Sequence, residues 1–206
     1  MANAGNIAVT TLDDAFSAVG SKILVDSAGP LAVGGGYVGV GTFSLTDAEI
    51  TALGAANDWA TLIAGFAQFG ATGKVADFAG IVTHNADSPL ADGDAFVGNA
   101  IYVAIGNTPE ASQGDATTAG AWLVYKSADS FGADNPLFSS SARLDAATND
   151  QLLIGGVGAA VNYPDLGGDV GTLVLAGEGG FIIPEPSSAL LFLGGLGSMI
   201  FIRRRR

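Results

Sequence analysis

The sequence predicts a mainly β fold: an antiparallel β-sandwich-like domain with one or two short helices, plus a C-terminal hydrophobic helix. Three observations predict it. Short apolar runs recur along the chain, bounded by clusters of Gly, Asp, Asn and Pro, which is how half-buried strands and their turns are written. The chain has 31 glycines and only 14% charged residues, a composition that suits tight turns and close-packed strands better than long amphipathic helices. Helical spacing is confined to one compact stretch in the first half, with a short patch before it. A chain of 206 residues holds one domain of ordinary size and an appendage. We divide it into residues 1–5, a possible remnant of a signal-peptide region, residues 6–180, an acidic extracytoplasmic β-rich domain, and residues 181–206, a C-terminal tail with a short transmembrane helix.

Ile7 to Thr11 reads as the first strand, followed by a helical patch around Asp13 to Val19. Lys22 to Asp26 is a second strand and Ser27 to Pro30 a turn. In "GGGYVGVGTFS", Val38, Val40 and Thr42 share one face of a strand, and Tyr37 and Phe43 flank Gly39 and Gly41 on the other. Thr46 with Glu49 three residues on has the form of a helix capping box. A second helix is expected from Asp58 to Phe69, with Trp59, Leu62, Ile63, Phe66 and Phe69 on one side and Gly70 as its stop. Strands are then expected at Phe78 to Thr83, Ala100 to Ile105, Ala121 to Lys126, Gln151 to Gly155 and Gly171 to Leu175. Residues 132–136 and 162–169 read as loops.

Charge is distributed unevenly. Ahead of Pro184 the only basic residues are Lys22, Lys74, Lys126 and Arg143, so nearly all of the chain's 20 acidic residues face few cations. Such a body repels polyanions, and no nucleic-acid partner is expected. The chain has no cysteine, which excludes disulfides, thiolate metal sites and cysteine nucleophiles within it.

Few residues offer chemistry. His84 is the single histidine, so any Ser-His-Asp arrangement has to pass through it. It stands in the polar text "THNADSPLADGDAF", read as a loop, and no nucleophile-elbow pattern occurs in the chain. Asp92 and Asp94, around a flexible glycine and with Asp87 upstream, are hard oxygen ligands suited to Ca²⁺, the one cofactor the text offers. The spaced acids and terminal glutamate of a calcium loop do not follow. Gly34, Gly36 and Gly39 match the order of a dinucleotide-binding turn, but β-type text follows where that turn opens a helix. No catalytic residues are expected, and the chain is read as no enzyme.

The tail carries a stronger signal. Pro184, Glu185 and Pro186 precede the uncharged stretch Ser187 to Ile202, 16 residues long, which ends in Arg203, Arg204, Arg205 and Arg206. As a helix this stretch spans about 24 Å, short of a hydrocarbon core of about 30 Å. Gly194, Gly195 and Gly197 weaken it further. A short, weakened helix suits a temporary anchor. By the positive-inside rule the arginines stay cytoplasmic and the acidic body lies outside. That topology calls for an N-terminal export signal, of which Met1 to Gly5 shows only the small-x-small triplet Ala2-Asn3-Ala4.

This order of parts resembles the PEP-CTERM sorting signal of Gram-negative bacteria. The resemblance implies recognition by exosortase, a membrane protease-transpeptidase, through Pro184, Glu185 and Pro186, and removal of the helix near that motif. It further implies a transient stay in the inner membrane, then the cell surface or extracellular matrix, and a link to exopolysaccharide and biofilm. "GGGYVGVGTFS", "AIYVAIGN" and "AWLVYKS" are also similar to domains found in front of such tails, a likeness that implies no activity. The leading expectation is a non-enzymatic surface or matrix protein. Its competitors are an extracellular carbohydrate-active enzyme and a Ca²⁺- or glycan-binding module.

Overall fold

Alternating β-branched and aromatic side chains in the middle of the chain supply two faces to bury, and the architecture follows from that. The structure, a computed structural model, describes residues 5–11, 21–26, 29–30, 36–75, 80–88, 94–112, 114–132, 140–143, 152–163 and 168–177. In chain order the strands are β1 (Gly5–Thr10), β2 (Ser21–Asp26), β3 (Gly29–Pro30), β4 (Tyr37–Phe43), β5 (Phe66–Gly73), β6 (Thr83–Ser88) and β7 (Ala100–Gly106). They continue as β8 (Ala121–Ser130), β9 (Ser140–Arg143), β10 (Leu152–Ile154), β11 (Gly156–Tyr163), β12 (Gly168–Val174) and β13 (Ala176–Gly177). Helices α1 (Asp47–Ala56) and α2 (Trp59–Ala64) connect β4 to β5, and two 3-10 turns, Glu110–Ser112 and Ala116–Thr118, lie between β7 and β8.

The central sheet has the order β10-β8-β7-β4-β5, with β13 also paired to β8, and all its pairs are antiparallel. A second sheet has the order β6-β1-β9 and a third the order β11-β12-β2-β3. The class is the expected one, mainly β with mostly antiparallel sheets and two short helices. Two pairs are parallel, β1 with β9 and β12 with β2, which short apolar runs do not reveal because they carry no sign of strand direction.

Each face of the central sheet has its own core. Val38, Val40, Ile101, Val103, Ile105, Leu123 and Tyr125 point to one side, where they meet Ile7 and Val9 of β1, Ala86 of β6 and Leu173 of β12. Tyr37, Phe43, Tyr102, Ala104, Trp122 and Val124 point to the other, where Ile50 of α1 and Leu62 of α2 cover them. The sheet is therefore packed by other sheets on one side and by the helix pair on the other. Trp122 is fully buried and meets Tyr37 edge-on at 5.4 Å between centroids. Burial of each such large side chain contributes roughly 1.5–3 kcal/mol. The two-faced reading of 37–43 holds: Tyr37 and Phe43 lie in one cluster, Val38 and Val40 in the other.

The capping box at α1 is present in full. Thr46 Oγ1 accepts from the Glu49 backbone N–H, and the Thr46 N–H donates to Glu49 Oε2 at 2.8 Å. Asp58 caps α2, accepting from the Thr61 N–H at 3.2 Å. The helix expected to run to Phe69 stops at Ala64, and Phe66 and Phe69 belong to β5. Strand period explains the difference. Residues three apart lie on opposite faces of a strand, so Phe66 packs toward the helix side and Phe69 into the other core. Gly70 ends no helix but sits within β5 at φ +67°, where a side chain would press on the Asp87 backbone of β6. Of the strand expected at Phe78 to Thr83, residues 78 and 79 lie outside the described residues and Thr83 is the first residue of β6; β11 is not among the expected strands. The helical patch at 13–19 lies outside the described residues.

Candidate functional site

Pro184, Glu185, Pro186, the stretch Ser187 to Ile202, Arg203 to Arg206 and Asp92 all lie outside the described residues. Among the described residues no helix is long and apolar enough to cross a membrane. Two expected candidates are placed by the fold, and both are engaged in local structure.

His84 is on a strand, not in a loop. It is paired opposite Val9, with Ala86 opposite Ile7, so its ring shares the inner face of β6. Nε2 lies 3.1 Å from the Ala71 carbonyl oxygen of β5, which can only accept, so Nε2 carries the proton of that bond. The ring lies over Gly73: a Cβ there would stand 2.4 Å from His84 Cγ. His84 thus braces β6 against β5. Asp94 shapes a turn, its Oδ1 accepting from the Phe96 N–H at 3.0 Å. Among the described residues no three His, Asp or Glu side chains are grouped to hold a metal ion.

A polar cluster that sequence reasoning missed lies where α1 meets the central sheet. The Lys126 ammonium of β8 stands 2.6 Å from Asp47 Oδ2, and the Tyr102 hydroxyl of β7 donates to Asp47 Oδ1 at 2.7 Å. The hydrogen bonds from Lys126 and then Tyr102 hold the Asp47 carboxyl below its ordinary range. The bond to Asp47 raises Lys126, and burial followed by the same carboxylate raises Tyr102. Lys126 Nζ also stands 5.7 Å from the Tyr102 ring centroid. Every member is held in its ordinary charge state near neutrality, so the cluster can fix α1 on the sheet but has no group poised to exchange a proton. Its signal in the sequence is faint: Asp47 and Lys126 are 79 residues apart. Nearby, an open pocket of about 400 Å³ is lined by Thr42, Phe43, Ser44, Phe66, Ala67 and Asn99 among others.

The end of the described body is as informative. Val174 and Leu175 are buried, and Ala176 and Gly177 then pair with Trp122 and Ala121 of β8. Register carries this position across the sheet: Trp122 pairs with Gly106, and Gly106 with Tyr37. Gly177 therefore leaves at the same end as the 107–120 segment between β7 and β8. There Asn107 Oδ1 accepts from the Gly120 and Ala121 N–H groups, and Asp115 accepts from the Thr117 N–H. The opposite end of the sheet carries Phe43, Phe66 and Ala100. From Gly177 to Pro184 is seven residues along the chain.

Comparison with curated proteins and with solved structures finds no match. Comparison with protein families finds the PEP-CTERM protein-sorting motif at residues 183–206, six residues after the last described strand residue. The C-terminal tail of this chain is accordingly a PEP-CTERM protein-sorting motif, the recognition signal for exosortase, and it marks the chain as a sorting substrate of that enzyme.

Proposed function

We propose that this is an exported cell-surface or exopolysaccharide-matrix protein whose acidic β-rich body performs no catalysis of its own. Its tail holds it in the inner membrane until exosortase removes the helix near Pro184, Glu185 and Pro186. The observation that carries the reading is the family match over residues 183–206. The uncharged stretch Ser187 to Ile202, too short to span a hydrocarbon core of about 30 Å without mismatch, supports a temporary stay. Arg203 to Arg206 support an orientation with the body outside. The few cations of the body support solubility there.

The test is mass spectrometry of the mature C-terminus from a host that carries exosortase. The expected mature chain ends near the Pro184-Glu185-Pro186 motif. Glu185→Ala, or deletion of Arg203 to Arg206, is expected to leave unprocessed protein in the membrane fraction. Mature protein that still retains residues beyond Ser188 would overturn the transient anchor.

A further inference from the structure

We propose that the end of the body built around the 107–120 segment is the surface that faces the phospholipid headgroups while the tail is inserted, and that only the tether holds it there. The inference rests on the proposed transient anchorage and adds the orientation of the body to it.

The tether is short and leaves from a fixed point. Leu175 is fully buried and Ala176 and Gly177 are paired to β8, so the tether is counted from Gly177. Whatever its conformation, a stretch of seven residues spans at most about 25 Å. A compact body of this size is about 40 Å across. Gly177 therefore stays close to the bilayer, and the end of the sheet it leaves from is the near end. The far end, where α1 begins after Phe43, lies about 20 Å further out along β4 alone.

Among the described side chains, the near end offers little to attract an anionic lipid surface. Glu110 and Asp115 are exposed there, and Asp115 is held below its ordinary range by its hydrogen bonds to Thr117, so it stays ionised. Lys74, just after β5, is an exposed cation on that side. Among the described side chains there, two carboxylates stand against one ammonium, and like charge repels anionic headgroups within about 10 Å at moderate salt. Cutting the tail then removes the whole attachment.

The chain has no cysteine, so a single introduced thiol is a unique label. Thr117→Cys marks the near end and Ala48→Cys the far end, both at exposed positions. The full chain carrying either label is reconstituted in phosphatidylethanolamine–phosphatidylglycerol vesicles with nitroxide-bearing headgroups. We expect quenching several-fold stronger at position 117 than at 48, and loss of that difference when a long Gly/Ser insert separates Gly177 from Pro184. Equal quenching in vesicle-bound protein overturns the orientation and leaves the anchor standing. Persistence of the difference with the long insert overturns the tether in favour of lipid attraction. A full chain that does not sediment with vesicles overturns the anchor and the orientation together.

Discussion

Lys126 Nζ lies 2.6 Å from Asp47 Oδ2, and the contact ties the middle of β8 to the first turn of α1. Asp47 does three things at once. It accepts from Lys126, accepts from the Tyr102 hydroxyl, and places negative charge at the positive end of the helix. Together with Ile50 and Leu62 in the core beneath, it sets where the helix pair sits on the sheet.

The two partners are expected to differ in worth. Their side chains are 35% (Lys126) and 42% (Asp47) exposed, so solvent screens the pair and Lys126→Met should cost less than about 1 kcal/mol. Asp47→Ala should cost more, because it also strips the acceptor from Tyr102, a residue only 6% exposed. Urea midpoints at neutral pH measure both. A larger loss for Lys126→Met would contradict this assignment.

The same pair fixes a pH dependence. Asp47 has a lowered pKa in the fold, so its contribution is complete above the unfolded value of about 4 and is lost as pH falls through the folded value. Lys126 has a raised pKa, so its contribution is complete below the unfolded value of about 10.4 and is lost as pH rises through the folded one. The stability gap between the wild type and Asp47→Ala should stay level from about pH 5 to 9 and narrow in acid. Denaturation series across pH read it directly, and a gap that widens in acid would refute the sign.

Gly73 and His84 make a sharper pair. A Cβ at position 73 would overlap the imidazole, at 2.4 Å from Cγ, so Gly73→Ala should destabilise by about 1–3 kcal/mol. Removing the ring should relieve the clash. In the double variant with His84→Ala, most of the Gly73→Ala cost should vanish, leaving a coupling energy above about 0.5 kcal/mol. Additive losses would mean that the ring does not occupy that space.

These two clusters show where the sequence could be read and where it could not. The alternation of Tyr37, Val38, Val40 and Phe43 was legible because both faces of β4 are buried by large side chains. The capping box was legible because it is local, Thr46 to Glu49. β6 was not, because its inward residues are His84 and Ala86, which carry little apolar signal between Asn85 and Asp87. Phe66 and Phe69 fitted a helix running on from Trp59, and only the pairing of Phe66 with Phe43 and Phe69 with Val40 separates the two readings. The sorting tail is legible in full as linear text, since Pro184 to Arg206 needs no distant partner to be recognised. The Asp47–Lys126–Tyr102 cluster is the reverse case, assembled from three elements far apart in the chain.

Asp94 offers a test between turn and metal site. Its Oδ1 already accepts from the Phe96 N–H, so Asp94→Ala should lower the melting temperature by about 2–4 °C. We expect the same loss in calcium and in chelator. If calcium instead stabilises the wild type, and Asp92→Ala with Asp94→Ala abolishes that gain, the carboxylates serve an ion.

The aromatic trio of Phe69, Phe96 and Phe131 gives the largest expected effects. Its ring centroids are 5.4 Å apart for Phe69 and Phe96, 5.1 Å for Phe69 and Phe131, and 5.2 Å for Phe96 and Phe131. The backbone holds the arrangement. Gly98 N–H donates to the Phe131 carbonyl at 2.7 Å, and the Phe131 N–H donates to the Asn99 carbonyl at 2.9 Å. Phe69 and Phe131 are buried whereas Phe96 is only partly so. Truncation should follow that order, with Phe69→Ala costing about 3–5 kcal/mol and Phe96→Ala clearly less. Since a whole domain is stable by only about 5–15 kcal/mol, Phe69→Leu is the practical companion, expected to fold with a smaller loss. Urea denaturation of the three variants decides the matter. A Phe96→Ala loss equal to that of Phe69→Ala would show that the turn at 94–99, and not the strand β5, is what the trio holds in place.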